Sequence, residues 1–207
     1  QDRIFRRDCL EVDVKVGGRP LTIFAVHFKS MNGRGDDVDG RIATMPLRTA
    51  EARAVRTIVE RRFGTSGAGN FVICGDMNDY QERVVISGVP RSGLTFSPVA
   101  EEQSALNVFS HDLFAENVVR RRPELDRWTL YHAQGMKVRH LCQLDYLWLS
   151  SAMARANAGA IPEIIRKGQP FRTPFPPGQE VERFPRTGWD RPKASDHCPV
   201  VIEVVVP

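Results

Sequence analysis

At 207 residues the chain has room for one domain with a full core and falls short of the usual length of two. Its 42% hydrophobic and 26% charged residues are ordinary globular usage, which excludes collagen-like repeats, coiled coil and a disordered chain. No apolar run approaches the roughly 20 residues of a membrane helix, and the opening QDRIFRRD is too charged for a signal peptide. The net charge of +4 rests on 24 arginines and only 5 lysines. Such a balance favours approach of a polyanion mildly, but it is small for a nucleic-acid binder, and a habit of arginine usage accounts for it. Cys9, Cys74, Cys142 and Cys198 show neither a C-x-x-C pair nor zinc-like spacing, so they read as reduced thiols packed as small hydrophobes.

Residues 9–16, CLEVDVKV, alternate apolar with polar, and residues 21–28, LTIFAVHF, are strongly apolar. With Gly17-Gly18-Arg19-Pro20 between them they predict a hairpin. A polar, Gly-rich loop follows over 29–44. Thr44 and Pro46 are expected to be the cap and first turn of a helix reaching Phe63, with Leu47, Ala54, Val55, Ile58 and Val59 as its apolar stripe. GTSGAG at 64–69 ends it, and NFVIC at 70–74 is expected to be a short buried strand. Residues 87–110 show little period and read as mixed loop. A short helix is predicted near 111–119, then strands at 128–132, 141–150 and 199–206. The Pro-, Gly- and Arg-rich stretch 168–192 reads as a long loop. No internal repeat or low-complexity segment is present. Helix followed by strand implies a layered α/β arrangement.

Four places set polar groups inside or at the end of runs that should be buried: His27 in AVHFKS, Asp76 and Asn78 in VICGDMND, Asp145 in QLDYLWLS, and Asp196-His197 in ASDHCPVV. A buried carboxylate costs several kcal/mol unless it is paired or bound to metal, so each position needs a reason. Singly, each has a structural one: a satisfied core histidine, a turn-forming Asp, an acid held by arginine, a strand start. Four such coincidences are less economical than one shared site. An Asp bonded to a His fixes its tautomer and raises its basicity, and Asp145 with His197 could form that pair. Oxygen donors such as Asp76, Asn78 and Asp196 suit Mg²⁺ or Mn²⁺ better than zinc. His27 and Lys29 could hold an anionic oxygen. Base, hard metal and cationic donors together describe metal-assisted phosphoester hydrolysis.

The ordered set HFKS (27–30), GDMND (75–79), LDY (144–146) and SDH (195–197) resembles the endonuclease/exonuclease/phosphatase superfamily over nearly the whole chain. The resemblance implies a DNase I-like two-sheet α/β sandwich of mainly antiparallel strands with outer helices, filling residues 1–207. It also implies a site where strand ends converge at one edge. By the same resemblance His197 is the general base or holds the scissile phosphate, oriented by Asp145. Asp76 positions or deprotonates the attacking water, and Asn78 steadies phosphate or water. Asp196, with Asp76, binds or supports Mg²⁺ or Mn²⁺, His27 contacts a phosphate oxygen, and Lys29 and Ser30 assist in substrate binding. Members of the superfamily carry an upstream Asn and a metal-binding Glu with no counterpart here. With Gln1 rather than Met at the start, the expectation is a domain incomplete at its N-terminus, with weakened metal binding.

The expected activity is divalent-metal-dependent phosphodiester hydrolysis, by a nuclease first. The alternatives are a phosphatase or phospholipase-type enzyme on a small substrate, or a catalytically silent binding domain. Nucleic acid is the expected partner ahead of lipid or inositol phosphate. Compartment (secreted, periplasmic or cytoplasmic) and oligomeric state are left open. Asp37-Val38-Asp39-Gly40 lacks the ligand positions of a calcium loop and reads as a solvated turn, Arg34-Gly35-Asp36 carries no weight, and Arg120-Arg121-Arg122 reads as a solvated face. Trp189 reads as a loop anchor packed on the core.

Overall fold

A computed structural model of the chain describes residues 3–33, 39–135 and 138–207. Its strands in chain order are β1 (Cys9–Val16), β2 (Arg19–His27), β3 (Phe71–Asp76), β4 (Glu82–Val89), β5 (Gly93–Ala100) and β6 (Ala115–Asn117). They continue as β7 (Leu130–Gln134), β8 (Val138–Cys142), β9 (Asp145–Ser150), β10 (Glu163–Ile164) and β11 (Val200–Val201). One long helix, α1 (Gly40–Phe63), and two short ones, α2 (Asn107–Ser110) and α3 (Ser151–Ala156), complete the regular elements with a few 3₁₀ turns. The fold is mixed α/β, with mostly antiparallel sheets and few helices. No helix of the described residues is long and apolar enough to cross a membrane.

The first sheet has the order β1-β2-β3-β9-β6, and the second β5-β4-β8-β7. Gly17 and Gly18, both at positive φ (58° and 84°), form the two-residue turn that sets the β1–β2 register. The β2–β3 pair is the parallel one of the first sheet, and α1 makes the crossover that a parallel pair requires. Phe24, Phe71, Ile73 and Trp148 on one face of this sheet meet Ala52, Val55 and Val59 of α1, all fully or almost fully buried. Each such large apolar side chain contributes about 1.5–3 kcal/mol. On the other face Val72, Leu149 and Leu21 pack with Val118, Met153 and the segment carrying Ile202, Val204 and Val206. A third cluster under the second sheet holds Val84, Ile86, Leu141, Trp128 and Phe175.

Several expectations change. Helix α1 begins at Gly40, because the Asp39 carboxylate accepts from the Arg41 and Ile42 amides. Thr44 and Pro46 therefore lie inside the helix, and the Thr44 hydroxyl donates to the Gly40 carbonyl at 2.6 Å. Asp39 is thus a cap; Arg34-Gly35-Asp36, Asp37 and Val38 lie outside the described residues. The stretch taken as loop over 87–110 contains most of the β4–β5 hairpin, whose turn is Pro90–Ser92 and whose β5 tolerates Pro98 because it is an edge strand. The single strand expected over 141–150 is two, and the chain passes from one sheet to the other at Gln143-Leu144. Only Val200–Val201 of the expected 199–206 strand pairs with a neighbour. Beyond it side chains take over the backbone: Asn157 exchanges hydrogen bonds with Val205, and Arg19 donates to the Val206 carbonyl.

Arg121 and Arg122 are not a solvated face. Arg121 donates to the carbonyls of Ala154, Asn157 and Ala160, and Arg122 to that of Pro162. Trp189 is 72% exposed and packs on no core. All four cysteines are free, and burial raises the thiol pKa of each, as expected of packed reduced thiols. The long loop after β10 is drawn together at its base, where the Phe184 amide donates to the Lys167 carbonyl at 2.9 Å and the Ala194 amide to the Gly168 carbonyl at 3.2 Å.

Candidate active site

β2 and β3 end side by side, and β9 begins beside them. Their register pairs His27 with Asp76, and Asp76 with Asp145. Directly paired residues of neighbouring strands project to the same side of a sheet. The three polar side chains therefore stand in one row across three strands, past the end of the apolar core. Gly75 makes the close approach of β3 to β2 possible: its φ is +128°, and a Cβ there would meet the Val26 carbonyl oxygen at 2.0 Å.

His197 joins the row from outside the sheet. Its Nδ1 lies 2.8 Å from Asp145 Oδ2, which fixes the tautomer with the proton on Nδ1 when the ring is neutral. This hydrogen bond raises the His197 pKa above its ordinary value, against the opposing effect of burial. Nε2 makes no protein hydrogen bond among the described residues and is the nitrogen left for proton transfer. Asp76 is held differently. Oδ1 accepts from the Asn78 amide at 2.9 Å, Oδ2 from Asn78 Nδ2 at 3.0 Å, and His27 Nε2 lies 3.3 Å from the same Oδ2. Burial pushes the Asp76 pKa up, the Asn78 amide pulls it back, and the Asp145 charge adds to the rise. Asn78 also donates to the Phe28 carbonyl at 3.1 Å, which ties the loop after β3 to the end of β2.

The remaining expected residues stand apart from this row. Lys29 Nζ is folded back on Ser30 and on the Asn32 carbonyl, so Lys29 and Ser30 form a small turn of their own. The Asp196 side chain is 65% exposed, and its ionic partner is Lys193 at 3.7 Å. Asp79, inside the GDMND motif, is fully buried and structural: it accepts from Arg41 Nε at 2.7 Å and from the Ala105 amide at 2.7 Å.

Residues not singled out from sequence hold the site in place. Thr129 is fully buried; its hydroxyl accepts from the Leu144 and Asp145 amides at 2.9 and 3.2 Å. Its carbonyl accepts from the Cys198 amide at 2.8 Å, so one residue fixes both members of the Asp145–His197 pair. Ser195 accepts the His197 amide on its hydroxyl at 3.0 Å, and buried Gln169 donates to the Asp196 carbonyl at 3.0 Å. Gln143 donates to the Asp145 carbonyl at 3.1 Å and is itself held by Asn117. On α1, buried Glu51 accepts the Lys29 amide at 2.7 Å and the Arg6 amide at 3.1 Å. Of these only Ser195 carries a sequence signal, a Ser two residues before the key His.

A groove of about 400 Å³ lies against the pair, lined by Cys74, Asp145, Leu147, Ser195, His197 and Val200. A larger one, about 550 Å³, lies along the edge strand β6 beside Arg120, Arg155 and Trp148, and touches none of the row. The described residues contain no group of three or more His, Cys, Asp or Glu side chains placed to enclose a metal ion. The donors at the row are two carboxylates flanked by two imidazoles. Of these, only the carboxylates are donors that an ion such as Mg²⁺ would use, since it takes one or two of them and completes its shell with water and substrate phosphate. The chain matches no family model and no curated protein.

Proposed function

We propose that this protein hydrolyses phosphodiester bonds as a nuclease, on a DNase I-like sandwich. The observation that carries the reading is the His197–Asp145 pair, at 2.8 Å, standing beside the pinned Asp76 carboxylate. His197 Nε2 moves the proton. Asp145 keeps the ring oriented and stabilises its charged form, while Asp76, already held by Asn78 and His27, orients the attacking water. Water attacks phosphorus, its proton passes to His197, the P–O bond to the leaving oxygen breaks, and that oxygen takes up a proton. His27 faces the phosphate oxygens from the far side of Asp76. Mg²⁺ or Mn²⁺ would be held by Asp76 and would neutralise charge on the phosphate, while Asp196, exposed and paired with Lys193, stands apart from it. The ordered resemblance of HFKS, GDMND, LDY and SDH to the endonuclease/exonuclease/phosphatase superfamily supports the same assignment.

The test is hydrolysis of bis(p-nitrophenyl) phosphate and of single- and double-stranded DNA, with Mg²⁺ or Mn²⁺ and with excess chelator. His197→Ala and Asp145→Asn should each lower turnover by about 10²–10⁴-fold. In Asp145→Asn the acid limb of the pH–rate profile should also move down, because the bond that raises the His197 pKa is gone. Near-normal turnover in either variant, or no hydrolysis by the parent chain, overturns the reading. DNA binding that weakens steeply with salt identifies the polyanionic substrate, since several neutralised phosphates release counterions. A flat response assigns a compact phosphoester instead.

A further inference from the structure

His132 and His140 are register partners in the β7–β8 pair, two residues along from Leu130 and Cys142. Leu130 in turn bridges to His197. Because bridge partners share a side and alternate residues share a face, both imidazoles stand on the face that carries His197, one row further along the strands. At the usual strand rise that row is about 7 Å away. The two ring centroids are 4.9 Å apart, with their planes inclined at 35°.

We propose that His132 and His140 form a two-imidazole binding site for a borderline transition-metal ion, zinc foremost, separate from the row that holds His27, Asp76 and Asp145. Two imidazoles on one tetrahedral zinc, each nitrogen at about 2.0–2.1 Å, bring their centroids to about 5 Å, the separation found here. Neither ring makes a hydrogen bond to any described residue, so no protein group competes for their lone pairs. His140 is only 7% exposed, with the Tyr80 ring 5.7 Å from its own, which holds it in place. His132 is exposed and can turn to meet an ion.

Nitrogen donors select zinc, copper or nickel over magnesium and manganese, so this site, with two imidazoles and no carboxylate, takes the former ions. Two arginines bear on His140: Arg83 is engaged by Glu101 at 3.1 Å, and Arg41 by Asp79 at 2.7 Å and Glu101 at 3.1 Å, which leaves the approach of a divalent ion less opposed. With two protein ligands the rest of the shell stays open to water, on the surface beside the groove.

Chelator-stripped protein is titrated with Zn²⁺ against a chromophoric competitor, in excess Mg²⁺, and separately with Cu²⁺ followed by electron paramagnetic resonance. One ion per chain is expected, with nitrogen hyperfine structure from two imidazoles. His132→Ala, at an exposed position that does not threaten folding, should weaken binding at least tenfold, and His140→Gln likewise if circular dichroism shows it folded. The double variant His27→Ala/His197→Ala should bind as the parent does. Absence of zinc binding, binding undiminished in His132→Ala, or loss confined to the His27/His197 variant overturns the proposal. None of these readouts depends on phosphodiester hydrolysis, so the two readings fail separately.

Discussion

His140 should make the fold sensitive to mild acid, by an amount that can be worked out. Burial, reinforced by the nearby His132, Arg83 and Arg41 charges, pushes its pKa down to about 4, from the 6.5 of a free imidazole. Below 6.5 the unfolded chain takes up a proton that the folded chain refuses until about pH 4. In that window the unfolded state binds more protons, so stability falls as pH falls. From the two values, the loss attributable to His140 is about 1 kcal/mol at pH 5.5 and about 2–3 kcal/mol at pH 4.5, nearing a limit of about 3 kcal/mol. Urea unfolding of the parent and of His140→Gln, followed by circular dichroism in chelator from pH 7.5 to 4.5, isolates the term. The two midpoint curves should converge or cross as the parent loses stability that the glutamine variant keeps. Parallel curves across the whole range refute the reasoning, because they show that His140 titrates alike folded and unfolded.

Three further outcomes follow from the geometry. Thr129→Val keeps the shape but strands the Leu144 and Asp145 amides, at a cost of about 1–3 kcal/mol; kcat should fall at least tenfold with KM little changed, and Thr129→Ser should restore it. Thermal denaturation with steady-state kinetics on the same samples checks both parts. Asp79→Ala removes one of the two carboxylates on the buried Arg41 guanidinium, leaving Glu101, and strands the Ala105 amide; it should destabilise by about 1–3 kcal/mol, measured by urea unfolding. Gly75→Ala forces a Cβ against the Val26 carbonyl at a φ of +128°, and should give insoluble protein or a loss above about 3 kcal/mol, read from soluble yield and thermal midpoint.

The hairpin β1–β2 and the core strand β3 were legible because apolar alternation and a Gly-Gly turn are local signals. The row itself was legible for a related reason: carboxylates and imidazoles stood out against apolar runs that had no use for them. What escaped notice has non-local causes. The apolar run through residues 141–150 has no turn residue at the point where it changes sheets; among the described residues Gln143 is satisfied there by Asn117 and the Asp145 backbone, both supplied by the fold. Thr129 looks like any strand threonine until the backbone groups it serves are brought to it from 15 residues further along the chain. Asp79 sat within the motif that named the site, yet its partner Arg41 lies 38 residues away on a helix that starts earlier than expected.

The loop between β10 and β11 has a consequence for change rather than for chemistry. Its base is closed by the Gly168–Ala194 and Lys167–Phe184 backbone contacts, and Gln169 props the turn that leads into His197. Beyond that clasp Phe175 packs on the Trp128 ring and Gln179 accepts from the Trp128 indole at 3.0 Å, which anchors the middle of the loop to the core. Doubling the length of such a loop costs only about 0.6 kcal/mol of closure entropy. The segment is exchangeable at its exposed tip: insertions at the Pro185–Arg186 turn can remodel that surface while Phe175 and Gln179 stay on the core and the pair below keeps its alignment.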